Sequence, residues 1–158
     1  MLTIARATSP DDIAAVKLLL RGIVAHFRAS GWTELADDAF DAEIDGPEPE
    51  FAEPAGRMLL AREDGEPVGI LALRPLPDGV PELRRMFVAP DARRRGVGRA
   101  LIVRMLEEAR EAGHTRLRLV TVPAFATAIA LYESLGFEHV SPFRESTAPD
   151  AVFMERKL

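Results

Sequence analysis

The 158-residue chain predicts a mixed α/β (α+β) domain. It is read as one mixed, mostly antiparallel sheet of about seven strands with helices on both faces, in the order βααβββαβαββ. Three observations carry this. Short runs of alternating or continuous apolar character are interspersed with stretches of helical period. Asp64-Gly65 joins two of those runs and is a strong signal for a two-residue hairpin. A loop bearing Gly96 and Gly98 leads from a hydrophobic strand straight into a long amphipathic stretch.

Residues 2–7 alternate and read as a strand. Ser9-Pro10-Asp11-Asp12 then supplies an N-cap, a proline at the first helical position and acids in the first turn. Ile13, Val16, Leu19, Leu20 and Ile23 recur at helical spacing, which predicts a helix to Phe27 broken by Gly31. Residues 34–53 hold nine acids and no Lys or Arg. A short helix over 37–44 is expected there, followed by an irregular loop. The run is read as a solvated acidic face; a second reading sets part of it beside a substrate entrance, favouring a cationic amine.

Residues 57–63 and 67–74 form the predicted hairpin, and 75–81 a loop turning at Asp78-Gly79. A strand over 82–88 precedes a turn at Pro90-Asp91. The helix from 96 to 112 places Leu101, Ile102, Met105, Leu106 and Ala109 inward, and Gly113 ends it. Residues 116–122 are a β-branched strand, 125–135 a helix closed by Gly136, and 137–140 and 151–158 the last two strands. One domain over 1–158 is expected from this length.

Composition narrows the function classes. A hydrophobic fraction of 47% with 28% charged residues is that of an ordinary globular chain. The absence of cysteine removes disulfides, thiolate metal sites and a thiol nucleophile. Residues 1–6 lack the apolar stretch of a signal peptide, and no apolar run approaches the roughly 18 residues of a membrane span. A cytoplasmic location and no membrane partner are therefore expected. A net charge of −5 argues against a nucleic-acid partner despite a local arginine cluster, and the aromatic interleaving of single-strand binders is missing.

The chemistry concentrates in residues 82–100. With no side chains at Gly96 and Gly98, consecutive N–H groups are able to point at one anion, at a helix start that carries unpaired N–H groups and the positive end of the dipole. Arg93, Arg94, Arg95 and Arg99 surround the loop with guanidinium forks suited to phosphate oxygens. The stretch reads as a diphosphate cradle. It is not a dinucleotide fingerprint, because Leu101 stands at the third glycine position, and it lacks the Gly-Lys-Ser/Thr of a P-loop.

Arg93-x-x-Gly96-x-Gly98 resembles the acyl-CoA signature of the GCN5-related N-acetyltransferases (GNAT). Ala128-x-x-Leu131-Tyr132 followed by Gly136-Phe137 resembles that family's second signature. The resemblance covers nearly the whole chain and implies an acyl-CoA N-acyltransferase fold. It also implies acetyl-CoA as cosubstrate, no metal, and an amine acceptor, small molecule or peptide. It departs at Phe125, where many members carry an asparagine near the cofactor. The resemblance further implies that acetyl-CoA meets Met86, Phe87 and Val88 on the strand and the loop from Arg93 through Arg94, Arg95, Gly96, Val97, Gly98 and Arg99 to Ala100, with Phe125 beside it. Main-chain N–H groups near Met86, Phe87 and Val88 would receive the thioester carbonyl where neighbouring strands splay.

Tyr132, the sole tyrosine, falls where the family places its general acid; a phenol is protonated at neutral pH and able to donate to a thiolate. Glu82 is the candidate general base that the resemblance implies, standing at the spacing from Gly96 seen for the catalytic glutamate of histone-type members, and it shares strand parity with Met86 if no bulge intervenes. Its alternative role is an ion pair with Arg84 or Arg85, or a strand-edge charge. His26, His114 and His139 are read as surface or helix-end residues. Without a thiol carrier, direct attack in a ternary complex is preferred to a ping-pong route. A non-catalytic acetyl-CoA sensor, another acyl-CoA and a hydroxyl acceptor stand as alternatives. Acceptor identity and a homodimer are left open.

Overall fold

A computed structural model describes residues 1–29, 51–146 and 148–158. The helix expected over 37–44 and most of the acidic run lie outside the described residues. The rest follows the predicted order: β1 (Leu2–Arg6), α1 (Pro10–Ala29), β2 (Arg57–Glu63), β3 (Glu66–Pro75), β4 (Pro81–Val88), α2 (Val97–Glu111), β5 (Arg116–Thr121), α3 (Ala126–Ser134), β6 (Glu138–His139) and β7 (Val152–Lys157). Short 3₁₀ turns at Pro90–Ala92 and Pro123–Phe125 precede α2 and α3. The seven strands form one sheet in the order β1-β2-β3-β4-β5-β7-β6. All pairs are antiparallel except β4 with β5.

Local chemistry accounts for the element boundaries. Ser9 and Asp12 cap α1 reciprocally, Asp12 N–H donating to Ser9 Oγ at 3.1 Å and Ser9 N–H to Asp12 Oδ2 at 3.2 Å. At the β2–β3 turn Asp64 has φ 50° and Gly65 φ 90°, so both central residues are left-handed, as a turn matching the twist of the strands requires.

Two apolar cores lie on opposite faces of the sheet. Val16, Leu19, Leu20 and Ile23 of α1 pack with Met58, Leu60, Ile70, Ala72 and Phe87. On the other face Leu101, Ile102, Met105 and Leu106 of α2, with Tyr132 and Leu135, cover Leu59, Leu71, Leu73, Leu83, Leu117 and Met154. Gly69 lets α2 approach, since a Cβ there would stand 3.0 Å from Leu101 Cδ1 and 3.1 Å from the Phe87 carbonyl oxygen. A charged residue joins this inner face: Glu108 of α2 is fully buried and accepts from Arg6 at 2.7 Å, Arg57 at 3.3 Å and Arg104 at 2.6 Å, tying α2 to β1 and β2.

Candidate active site

The centre of the sheet is irregular in two places, and together they make a cleft. In β3–β4 pairing Ile70 faces Phe87 but Ala72 faces Arg84, so Arg85 and Met86 both oppose Leu71. Arg85 is the inserted residue, with φ 58°. This β-bulge re-aims everything after it by one position. Leu83 therefore shares a core with Met86 and Val88, while Phe87 joins the core under α1. The parity expected between Glu82 and Met86 is broken for the same reason. Next to the bulge, β4 and β5 pair only at Glu82 and Arg118 and then diverge. The gap is a cleft of about 930 Å³ between residues 83–88 and 119–122, walled by Ile23, His26 and Phe27 of α1 on one side and α3 on the other.

At one end of the cleft lies the β4–α2 loop. Arg94 at φ 61° and Gly96 at φ 81° are both left-handed, and Gly96 is the N-cap of α2. Left-handed residues in a turn gather main-chain N–H groups into a concave anion nest, here at a helix N-terminus. Gly98 faces the β4 side: a Cβ there would meet Met86 Cε at 2.9 Å. These features fit a diphosphate-bearing ligand whose backbone contacts demand close approach. Arg93, Arg94, Val97 and Arg99 also line the cleft. Arg93 donates to the Val88 carbonyl at 2.9 Å, with its guanidinium 5.7 Å from the Phe87 ring centroid. Arg95 turns away to pair with Glu63 at 2.9 Å, and neither it nor Ala100 lines the cleft.

Tyr132 reaches the cleft from α3 and packs edge-on against Phe137, ring centroids 5.8 Å apart. Its side chain makes no hydrogen bond to a described residue, and burial pushes the phenol up to about 12. Phe125, at the start of α3, stacks on His26 with centroids 6.1 Å apart and lies 5.8 Å from Phe27. His26 thus lines the cleft instead of lying on an outer face. Its pKa is lowered by burial and then by Arg93, which keeps the imidazole neutral at pH 7. The signal was its position in the last turn of α1, on the side that closes over the sheet, and that side is decided by packing.

Glu82 is brought to the site but beneath it. The side chain has no exposed surface and does not line the cleft. Arg144, from the segment between β6 and β7, donates to both oxygens at 2.9 and 2.7 Å, Arg74 donates at 3.3 Å, and Arg84 Nη1 stands 3.6 Å away. Arg144 was not singled out in the sequence; it lies 62 residues from its partner. Among the described residues no group of three histidines, aspartates and glutamates is arranged to hold a metal.

Comparison with known proteins agrees with this geometry. Residues 21–137 match the family profile described as the acetyltransferase (GNAT) family. An IAA acetyltransferase of Azospirillum brasilense is 42% identical over 110 residues, 68% of this chain and 72% of that protein. The uncharacterized N-acetyltransferase YjgM of Escherichia coli is 31% identical over 141 residues, 85% of this chain and 81% of that one. The fold is shared with the PaiA N-acetyltransferase of Thermoplasma acidophilum, solved in complex with coenzyme A, at a TM-score of 0.76 and 17% identity, covering 100% of this chain and 99% of that one.

Proposed function

The chain belongs to the GNAT acetyltransferase family and is an acyltransferase, and on that premise we propose that it moves the acetyl group of acetyl-CoA to a primary amine by direct attack within a ternary complex. The observation that carries this reading is the coincidence, around one cleft, of the left-handed loop at Arg94 and Gly96, the bulged strand at Arg85–Met86 and the phenol of Tyr132.

Each residue's part follows from its place. The nest and the first turn of α2 hold the diphosphate, with Arg94 and Arg99 adding charge. Acetyl-CoA supplies an acyl group on a leaving thiolate. The main chain of β4 beyond the bulge, unpaired toward β5, donates N–H groups to the carbonyl oxygen, a term worth about 3 kcal/mol in related oxyanion sites. Tyr132 keeps its proton to about pH 12 and gives it to the departing thiolate. His26 is the neutral cleft group able to take the ammonium's proton, directly or through water. Glu82 acts in this reading as the buried anchor of Arg144; the geometry supports the ion-pair role over that of a base, since three arginines already surround its oxygens.

Thermal unfolding with acetyl-CoA, and with NAD and ATP as diphosphate controls, tests the cosubstrate. At a hundredfold excess over Kd, ligand stabilises by about 2.7 kcal/mol. In a domain of this size that moves Tm by roughly 5–10 °C. A shift with acetyl-CoA alone, followed by thiol release on adding amines, is expected. No shift at millimolar acetyl-CoA would overturn the reading.

A further inference from the structure

The charge of the acceptor half of the cleft points to the acceptor's own charge. Among the described residues that line the cleft are six arginines and a single acid, Glu145, which is exposed. Arg93, Arg94 and Arg99 lie at the diphosphate end. Of the others, Arg144 spends Nε and one Nη on Glu82 and its remaining Nη on the Glu145 carbonyl at 2.8 Å. Glu82 is thereby matched, one carboxylate against one bidentate guanidinium.

Arg85 is engaged at the bulge, its guanidinium 5.9 Å from the Phe51 ring centroid, and Arg84 is the exception. Its nearest acidic partner is Glu82 Oε1 at 3.6 Å, beyond hydrogen-bond range, and its side chain is only 23% exposed. It makes no hydrogen bond to a described residue, yet it lines the cleft. Burial, and then the positive charge of Arg85 and Arg74, lower its pKa to about 10; Glu82, the one carboxylate near it, pulls the other way but is already hydrogen-bonded by Arg144 and Arg74. A guanidinium withdrawn from water with unspent donors is costly unless an anion meets it.

Its position relative to the reaction is also set. Arg84 pairs with Ala72, whose side chain belongs to the core under α1, so Arg84 faces the α1 half of the cleft and not the α2 half. It precedes Met86 by two residues across the Arg85 bulge, so it flanks the main chain proposed to receive the thioester. The α1 wall of the cleft presents Ile23 and Phe27, with His26 between them in sequence.

We propose that the acceptor is an amine that also carries a carboxylate, and that Arg84 binds that carboxylate while the amine faces the β4 bulge. The proposal rests on the acyl-transfer reading above and names its substrate class. It opposes the sequence-based expectation of a cationic amine drawn in by the acidic run.

The test uses the full chain, acetyl-CoA and three acceptors: L-phenylalanine, L-phenylalaninamide and 1,5-diaminopentane. In the wild type, kcat/KM for the carboxylate should exceed that for the carboxamide by roughly ten- to hundredfold, the range of a charge-assisted pair. Arg84→Gln should lower that ratio by roughly ten- to hundredfold, and Arg84→Lys should restore part of it. Comparing ratios cancels the different basicity of the two amines. A diamine or carboxamide used as well as the carboxylate, or a ratio unmoved by Arg84→Gln, overturns the proposal. A binding arm reads the same preference without turnover: with CoA present, L-phenylalanine but not its amide should raise Tm, and Arg84→Gln should abolish the difference. If acetyl-CoA itself gives no shift, the acyl-transfer reading fails. If acetyl-CoA binds and no acceptor stabilises, this inference fails while the cosubstrate assignment stands.

Discussion

Arg144 closes on Glu82 with hydrogen bonds of 2.9 and 2.7 Å across 62 residues of sequence, and the carboxylate it holds is fully buried. The pair joins the segment after β6 to the centre of the sheet, directly under the cleft. Through Arg144, which lines the cleft, it ties that segment to β4.

Glu82→Gln should therefore act on stability first. It leaves three arginines around a neutral amide, and breaking a buried pair in this way costs about 3–5 kcal/mol. Arg144→Met should cost less, because Arg74 and Arg84 still face the carboxylate. Urea unfolding of both variants decides the order. A Glu82→Gln protein of wild-type stability that has lost kcat and the acid limb of its pH profile would restore Glu82 as the base.

Tyr132→Phe should leave Tm and acetyl-CoA affinity close to wild type, since the hydroxyl makes no hydrogen bond to a described residue. Its kcat should fall about a hundredfold, the lower range for loss of a general acid. With the phenol raised to about 12, no alkaline limb from Tyr132 belongs below pH 11 in the wild type. Equal losses in kcat and in acetyl-CoA binding would show a packing role instead.

The two loop glycines should fail differently. Gly96→Ala meets open space but must hold φ 81°, a strain of about 1–2 kcal/mol. It should lower Tm by roughly 2–8 °C. Gly98→Ala has an ordinary φ but puts its Cβ 2.9 Å from Met86 Cε, the far end of a flexible side chain. It should spare stability and weaken acetyl-CoA. Calorimetric Tm and a titration with acetyl-CoA separate them; identical behaviour of the two variants would contradict the distinction.

Stability should fall in two steps as pH falls. Burial, with Arg93 beside His26 and Arg57 beside His114, sets both imidazoles below their ordinary 6.5. The unfolded chain then binds more protons than the folded one, so stability is lost as pH drops through about 6.5 toward the folded values. Lower down, Ser9's hydrogen bonds hold Asp12 at about 2 instead of 3.8, so that contribution is present above 3.8 and disappears toward 2. Urea midpoints from pH 8 to 3 should show both, and His26→Gln should shrink the first. A wild-type curve flat between pH 7 and 5 would be inconsistent with imidazoles held below 6.5.

Much was determined by the sequence alone. The strand and helix order, the left-handed Asp64-Gly65 turn, the Ser9 cap and the glycine loop before α2 are all local: each depends on a few neighbouring residues and their backbone preferences. The left-handed glycine loop was legible for that reason, and Tyr132 was singled out because its spacing to Gly136 and Phe137 resembles the family's second signature.

The tertiary structure decided what depends on pairing between distant segments. The bulge at Arg85 arises from the register of β4 on β3, and a single inserted residue turned Glu82 away from Met86's side. Arg144 reached Glu82 from the far end of the chain, and Glu108, a charge on a helix that reads as amphipathic, turned inward because Arg6, Arg57 and Arg104 met it there. His26 entered the cleft by the way α1 packs on the sheet. A buried charge is tolerated only where partners surround it, and partners supplied by other strands and helices leave no mark at the position itself.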